Sequence, residues 1–144
     1  MDEARPEPGV VLLDQQLAGV TGTAQLVDRV REAGLSIDLQ VEGEPVGLAP
    51  GIDISAYRIL QEALTNTLKH AGPAQATVVI RYLKRELQLE VTDDGHASPR
   101  GENGYGLVGM RERVAIYGGR LETGFQPSGG FAVRAQLPLD TDAP

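Results

Sequence analysis

Glu62 and Asn66 stand four residues apart in the run QEALTNTLKHA, residues 61–71, with Lys69 and His70 close behind. In a helix turning about 100° per residue, these four side chains share roughly 100° of arc. A carboxylate and a carboxamide oxygen at that spacing can offer hard ligands to Mg²⁺ or to its waters, and Mg²⁺ needs few protein ligands because it keeps most of its hydration. Lys69 adds a point charge suited to a phosphate oxygen. His70 can donate a supporting hydrogen bond, or simply sit at a helix C-terminal dipole. Ala56, Tyr57, Leu60, Ala63, Leu64 and Leu68 fall on the adjoining arc as the expected core face, so the polar stripe borders buried surface. Asparagine is a poor mid-helix residue, because its amide competes for backbone groups. A polar helix flank with a Glu–Lys neighbourhood is the alternative reading.

Two glycine-bearing segments supply further candidates. Val91-Thr92-Asp93-Asp94-Gly95 places two carboxylates directly after a strand, at a tight bend that glycine allows. A buried carboxylate there can accept from an exocyclic amine, and Gly95 would let a flat ring approach the backbone. The same string also serves ordinary turns. In GYGLVGMRER, residues 104–113, Gly104, Gly106 and Gly109, with Leu107 among them, precede and open a helix whose free N–H groups and dipole attract anions. The segment does not follow a strand of a βαβ unit, which argues against a dinucleotide fingerprint. A flexible loop and helix start is the alternative, with Arg111 and Arg113 as surface charges.

The elements that must position these residues follow from hydrophobic periodicity. Residues 1–22 read as a linker or domain start, and a first helix spans Thr23–Ala33 with Gly34 at its C-cap. Ile37, Leu39 and Val41 alternate in a half-buried strand, and Asp53 or Ser55 can cap a long helix running to about His70, closed by Gly72-Pro73. Val78, Ile80, Tyr82 and then Leu87, Leu89, Val91 form the two arms of a β-hairpin. A helix over Leu107–Tyr117 and strands near Arg120–Phe125 and Phe131–Leu137 complete the unit, and residues 140–144 form a tail. Such clean alternation predicts one buried sheet face, hence a two-layer α/β sandwich with helices on one face, and not a doubly wound sheet.

Composition narrows the function. The 144 residues amount to one domain, with 13 Lys+Arg against 20 Asp+Glu and a formal net charge of -7. That sign disfavours nucleic acid as a partner. With no cysteine, thiolate zinc sites, disulfides and cysteine nucleophiles are excluded together. Aromatic residues are 4%, with no Trp, so the core is aliphatic and a base-stacking platform is disfavoured. No apolar run is long enough for a membrane span, and only His70 and His96 could supply imidazole chemistry.

Taken in order, QEALTNTLKHA, VTDDG, GYGLVGMRERV and SGGFAVRAQLPL (128–139) resemble the ATP-binding catalytic domain of sensor histidine kinases, in the subgroup paired with NarL-type response regulators. The resemblance covers about residues 20–139. It implies the GHKL (Bergerat) fold, a mixed sheet with helices on one face, and ATP and Mg²⁺ as ligands. By the same resemblance Asn66 binds Mg²⁺, and Glu62 orients a metal-bound group or water, or acts as a base. Asp93 reads the adenine amino group beside Gly95; Gly104, Gly106, Leu107 and Gly109 cradle phosphates; Lys69 and His70 neighbour the triphosphate. Ala97 stands where a second glycine is usual, and Phe131 follows Gly130 where the family commonly has threonine.

The resemblance further implies γ-phosphoryl transfer to a histidine on a separate helical dimerisation domain, with a response regulator downstream. His70 and His96 lie within nucleotide motifs, so the acceptor is expected from outside this chain, which reads as a catalytic domain excised from a longer kinase. A cytoplasmic location is expected, with a parent that can be membrane-anchored. A related anti-sigma-type serine kinase and a degenerate interaction domain are the alternatives.

Overall fold

Apolar periodicity shapes most of the elements, and the computed structural model describes residues 19–70, 74–95 and 105–139. Helix α1 (Thr23–Glu32) buries Thr23, Leu26, Val27 and Val30 and ends before Gly34, whose φ of +112° is readily adopted only by glycine. Strand β1 (Ser36–Glu42) follows, then the long helix α2 (Pro50–His70). The hairpin strands are β2 (Gln75–Tyr82) and β3 (Glu86–Asp93). Helix α3 (Tyr105–Ile116) precedes β4 (Arg120–Phe125) and β5 (Phe131–Pro138).

The five strands form one sheet in the order β1-β2-β3-β5-β4. The β1–β2 pair is parallel, as the α2 crossover between them requires, and the other pairs are antiparallel. Sheet and helices share one core in which Leu60, Leu64, Leu87, Leu89 and Leu137 are fully buried. Burying one such side chain contributes about 1.5–3 kcal/mol. The opposite sheet face carries a charge ladder. Arg81 Nε donates to Glu42 Oε1 at 2.9 Å, Arg81 Nη1 to Glu90 Oε1 at 3.4 Å, and Arg134 Nε to Glu90 Oε2 at 2.9 Å. The expected mixed, two-layer sandwich is therefore the observed one.

Several local expectations differ from the structure. α2 begins at Pro50, before Asp53 and Ser55, because proline suits a first helical turn whose N–H groups have no partner. Asp53 instead receives Thr21 N at 2.8 Å and Thr21 Oγ1 at 2.6 Å, and Ser55 is buried inside the helix. Leu68, expected on the core face, is 38% exposed, whereas Ile59 and Thr67 are buried. The buried arc is thus rotated toward the polar stripe. α3 starts two residues earlier than Leu107. Arg111 is more than a surface charge, since it donates to Leu121 O at 3.3 Å and Thr123 Oγ1 at 3.4 Å and so ties α3 to β4. The expected stop at Gly72-Pro73 lies outside the described residues.

Candidate functional site

The site grows from the last residue of β3. Asp93 continues the inward alternation Leu87, Leu89, Val91, so the strand's own period buries it, leaving 6% of its surface exposed. A carboxylate so placed must be supplied with donors. Its Oδ1 accepts from Gly95 N at 2.9 Å and from Phe131 N at 3.4 Å. Its Oδ2 accepts from Thr67 Oγ1 at 3.1 Å. Three elements, β3, β5 and α2, thereby converge on one side chain.

Gly130 makes this convergence sterically possible. It has φ +91°, and a Cβ there would fall inside the van der Waals radius of the Asp93 carbonyl oxygen. The backbones at the start of β5 and the end of β3 meet where no side chain fits. Gln126 Nε2 closes the same corner by donating to Asp93 O at 3.5 Å. Asp94 plays a different part from its neighbour: it is exposed, and its Oδ1 accepts from Gln75 N at 2.8 Å. Only one of the two adjacent carboxylates is therefore held inside.

Thr67 is the residue after Asn66, so its bond to Asp93 also fixes where the polar stripe lies. Glu62 and Asn66 are half-buried on the flank of α2 beside this contact, and Lys69 is exposed farther along. His70 ends the helix. α2 packs on β3, β5 and α3, and the Thr67 bond holds the strand-end carboxylate beside the stripe. Among the described residues no group of three or more His, Cys, Asp or Glu could hold a metal ion.

Of the glycine segment, Gly106, Leu107 and Gly109 lie within α3, and Gly104 falls outside the described residues. The four amides without an intrahelical acceptor are those of the first turn, which includes Gly106 and Leu107. Gly109 is the fifth helical residue, exposed, with open space where a Cβ would stand. His96 and Ala97 are outside the described residues.

Thr67 and Gly130 are the participants that sequence patterns pass over. On the helical wheel Thr67 falls in the middle of the apolar arc, a signal that it is buried and must find a partner. A separate open groove of about 790 Å³ lies between α1 and the N-terminal half of α2, lined by Thr21, Asp53, Ile54, Tyr57 and neighbours. It is remote in the fold from Asp93 and includes none of the stripe residues.

A mixed five-stranded sheet with helices on one face and a buried aspartate at the end of its third strand has the architecture of the GHKL class of α/β sandwiches. Residues 51–141 match the family described as histidine kinase-, DNA gyrase B-, and HSP90-like ATPase, and the chain belongs to that family, as the ATP-binding catalytic domain that sensor histidine kinases carry. It is 38% identical over 130 residues to the sensor histidine kinase YxjM of Bacillus subtilis, covering 88% of this chain and 32% of that protein. It is 30% identical over 112 residues to the sensor histidine kinase LnrJ of the same organism, covering 78% of this chain and 28% of that protein. The chain thus spans about a third of the length of these relatives.

Among solved structures, the blue-light activated histidine kinase of Erythrobacter litoralis superposes with a TM-score of 0.70 at 19% identity, over 92% of this chain and 52% of that one. The mycobacterial sensor histidine kinase MprB gives 0.63 at 20% identity, over 79% of this chain and 91% of that one. At such identities the structural likeness establishes the fold.

Proposed function

We propose that this chain, with residues 23–139 as its catalytic unit, is the part of a two-component sensor kinase that binds Mg·ATP and presents the γ-phosphate to a histidine on a separate helical dimerisation domain. The observation that carries the reading is the Thr67–Asp93 bond, which sets the buried Asp93 carboxylate beside the Glu62–Asn66 stripe. Asp93 would accept from the adenine amino group, and Gly95 would flank the ring. Lys69, His70 and the amides of Gly104, Gly106 and Leu107, with Gly109 behind them, would surround the phosphates, where local positive partial charge offsets the net charge of -7.

The donor set on α2 fits Mg²⁺. One carboxylate and one amide oxygen, half-buried and four residues apart, suit a cation that keeps its waters and takes its remaining ligands from phosphates. Asn66 would be a direct ligand and Glu62 would orient a metal-bound water or the metal itself. When bound, Mg²⁺ supplies neutralisation of charge building up on the β- and γ-phosphates.

Transfer would proceed by attack of an imidazole nitrogen of the partner domain on the γ-phosphorus, with cleavage of the bond to the β,γ-bridging oxygen and release of ADP. The protein's share is positioning and charge stabilisation. A response regulator, of the NarL type by sequence resemblance, would then take the phosphoryl group. Among the described residues no helix is long and apolar enough to cross a membrane.

Calorimetric titration with ATP, with and without Mg²⁺, tests this reading on the native chain and Asn66→Ala. The native chain is expected to bind ATP more tightly with Mg²⁺, and Asn66→Ala to lose most of that Mg²⁺ dependence while remaining folded. Absence of ATP binding by the native chain would refute the proposal. Mg²⁺ dependence surviving in Asn66→Ala would remove the metal assignment. With a helical acceptor domain added, labelled phosphate on histidine supports the kinase reading, and phosphate on serine would replace it.

A further inference from the structure

A carboxylate oxygen has two acceptor positions. On Asp93, Oδ1 fills both with the amides of Gly95 and Phe131, while Oδ2 takes the Thr67 hydroxyl and, among the described residues, no other donor. The group is pinned through both oxygens and keeps one acceptor position on Oδ2. Thr67 is itself 6% exposed, and its Oγ1 lies 3.1 Å from both Ala63 O and Asp93 Oδ2. Its single proton therefore has a neutral and an anionic acceptor, and the anionic one makes the stronger hydrogen bond. Phe131 has no hydroxyl to offer this carboxylate from β5, and the only side-chain hydroxyl bonded to Asp93 among the described residues comes from α2.

We propose that Thr67 is a positioning residue that sets base selectivity. By donating to Oδ2 it stops rotation of the Asp93 carboxylate and aims the remaining acceptor at a 6-amino group. A 6-oxo purine would bring a carbonyl oxygen against that fixed acceptor, leaving two buried acceptors facing each other, an arrangement that discriminates strongly. Without the Thr67 hydroxyl the carboxylate can turn or take up water, and the contrast between amino and oxo groups weakens. This inference rests on Asp93 being the base reader proposed above.

The test measures affinities for ATP and inosine triphosphate, which differ by amino against oxo at that position, for the native domain, Thr67→Val, Thr67→Ala, Thr67→Ser and Asp93→Asn. Thermal melting identifies which variants are folded. Thr67→Val, which keeps the shape, is expected to weaken ATP about tenfold with little change for the inosine nucleotide, so that the selectivity ratio falls about tenfold. Thr67→Ser should restore the ratio. Should the valine variant not fold, Thr67→Ala is expected to show the same collapse of the ratio. Equal weakening of both nucleotides would overturn the proposal, because a merely structural threonine acts on both alike. If Asp93→Asn lowers ATP affinity while the Thr67 variants keep the native ratio, the Thr67 inference alone fails. If Asp93→Asn leaves ATP affinity unchanged, the reading of Asp93 fails and takes the inference with it.

Discussion

At the N-terminal end of α2, the Asp53 carboxylate accepts from Thr21 N and Thr21 Oγ1 at 2.8 and 2.6 Å; toward its C-terminal end, Thr67 Oγ1 donates to Asp93 at 3.1 Å. Both are aspartate–threonine pairs joining α2 to another segment, yet they serve different ends. The first is half-exposed, and water can replace either bond. It works with Gly19 N donating to Val46 O at 2.7 Å and Val20 N donating to the Tyr82 hydroxyl at 3.1 Å, so it fastens the chain where it enters the domain. The second is buried, where water does not compete and an unmet acceptor is costly. A hydrogen bond near the surface contributes to fastening, whereas the same bond in the interior fixes the direction of whatever acceptor capacity remains. That contrast separates a structural clasp from the corner proposed above as the base-reading site.

The largest effect is expected from Gly130→Ala. The added Cβ would collide with Asp93 O at a residue already in left-handed backbone, so unfolding experiments in urea should show a loss of about 2–4 kcal/mol, with ATP binding lost in parallel. Loss of binding with full stability would show that the corner serves the ligand alone. Asp53→Ala comes next. Two near-surface hydrogen bonds disappear, for an expected cost of about 1 kcal/mol, with ATP affinity unchanged. A change in ATP affinity would join the two ends of α2 into one functional unit and break the distinction drawn above.

The smallest effect concerns Tyr82. Burial pushes its phenol above the ordinary value, the Val20 N–H donated to it acts the other way, and the Asp53 charge raises it further. A phenol with a raised pKa keeps its proton longer in the folded chain than in the unfolded one. Its contribution is therefore complete below the ordinary phenol pKa and is lost as pH rises through the native value. Denaturation curves from pH 8 to pH 11 should show this alkaline decline in the native chain and a shallower one in Tyr82→Phe. An unchanged slope would place the alkaline sensitivity elsewhere.

Most of the sheet was legible because alternation is a local property. Ile37 and Leu39, Val78 and Ile80, Leu87 and Leu89, and Val133 and Ala135 declare their face within a few residues. The polar stripe was legible for the same reason, since Glu62 and Asn66 are one helical turn apart. The start of α2 is not legible in the sequence because Asp53 is as good a cap as any residue, and only its engagement by Thr21, 32 positions away, shows that it serves elsewhere. The exposure of Leu68 is not legible either, because a helical wheel assigns a face by composition, while the true face depends on where β3 and β5 press against the helix.

Residue types and their spacing determined the order of elements, the buried side of the alternating strands, and the presence of a carboxylate, an amide and glycine-rich turns. Tertiary structure decided which of two adjacent aspartates is enclosed, that Thr67 reaches it from α2, and that Gly130 must lack a side chain for β5 to close on β3. Periodicity is written in neighbours along the chain. Which donor satisfies a buried acceptor is settled only when segments 26 and 38 residues apart in sequence meet at one carboxylate.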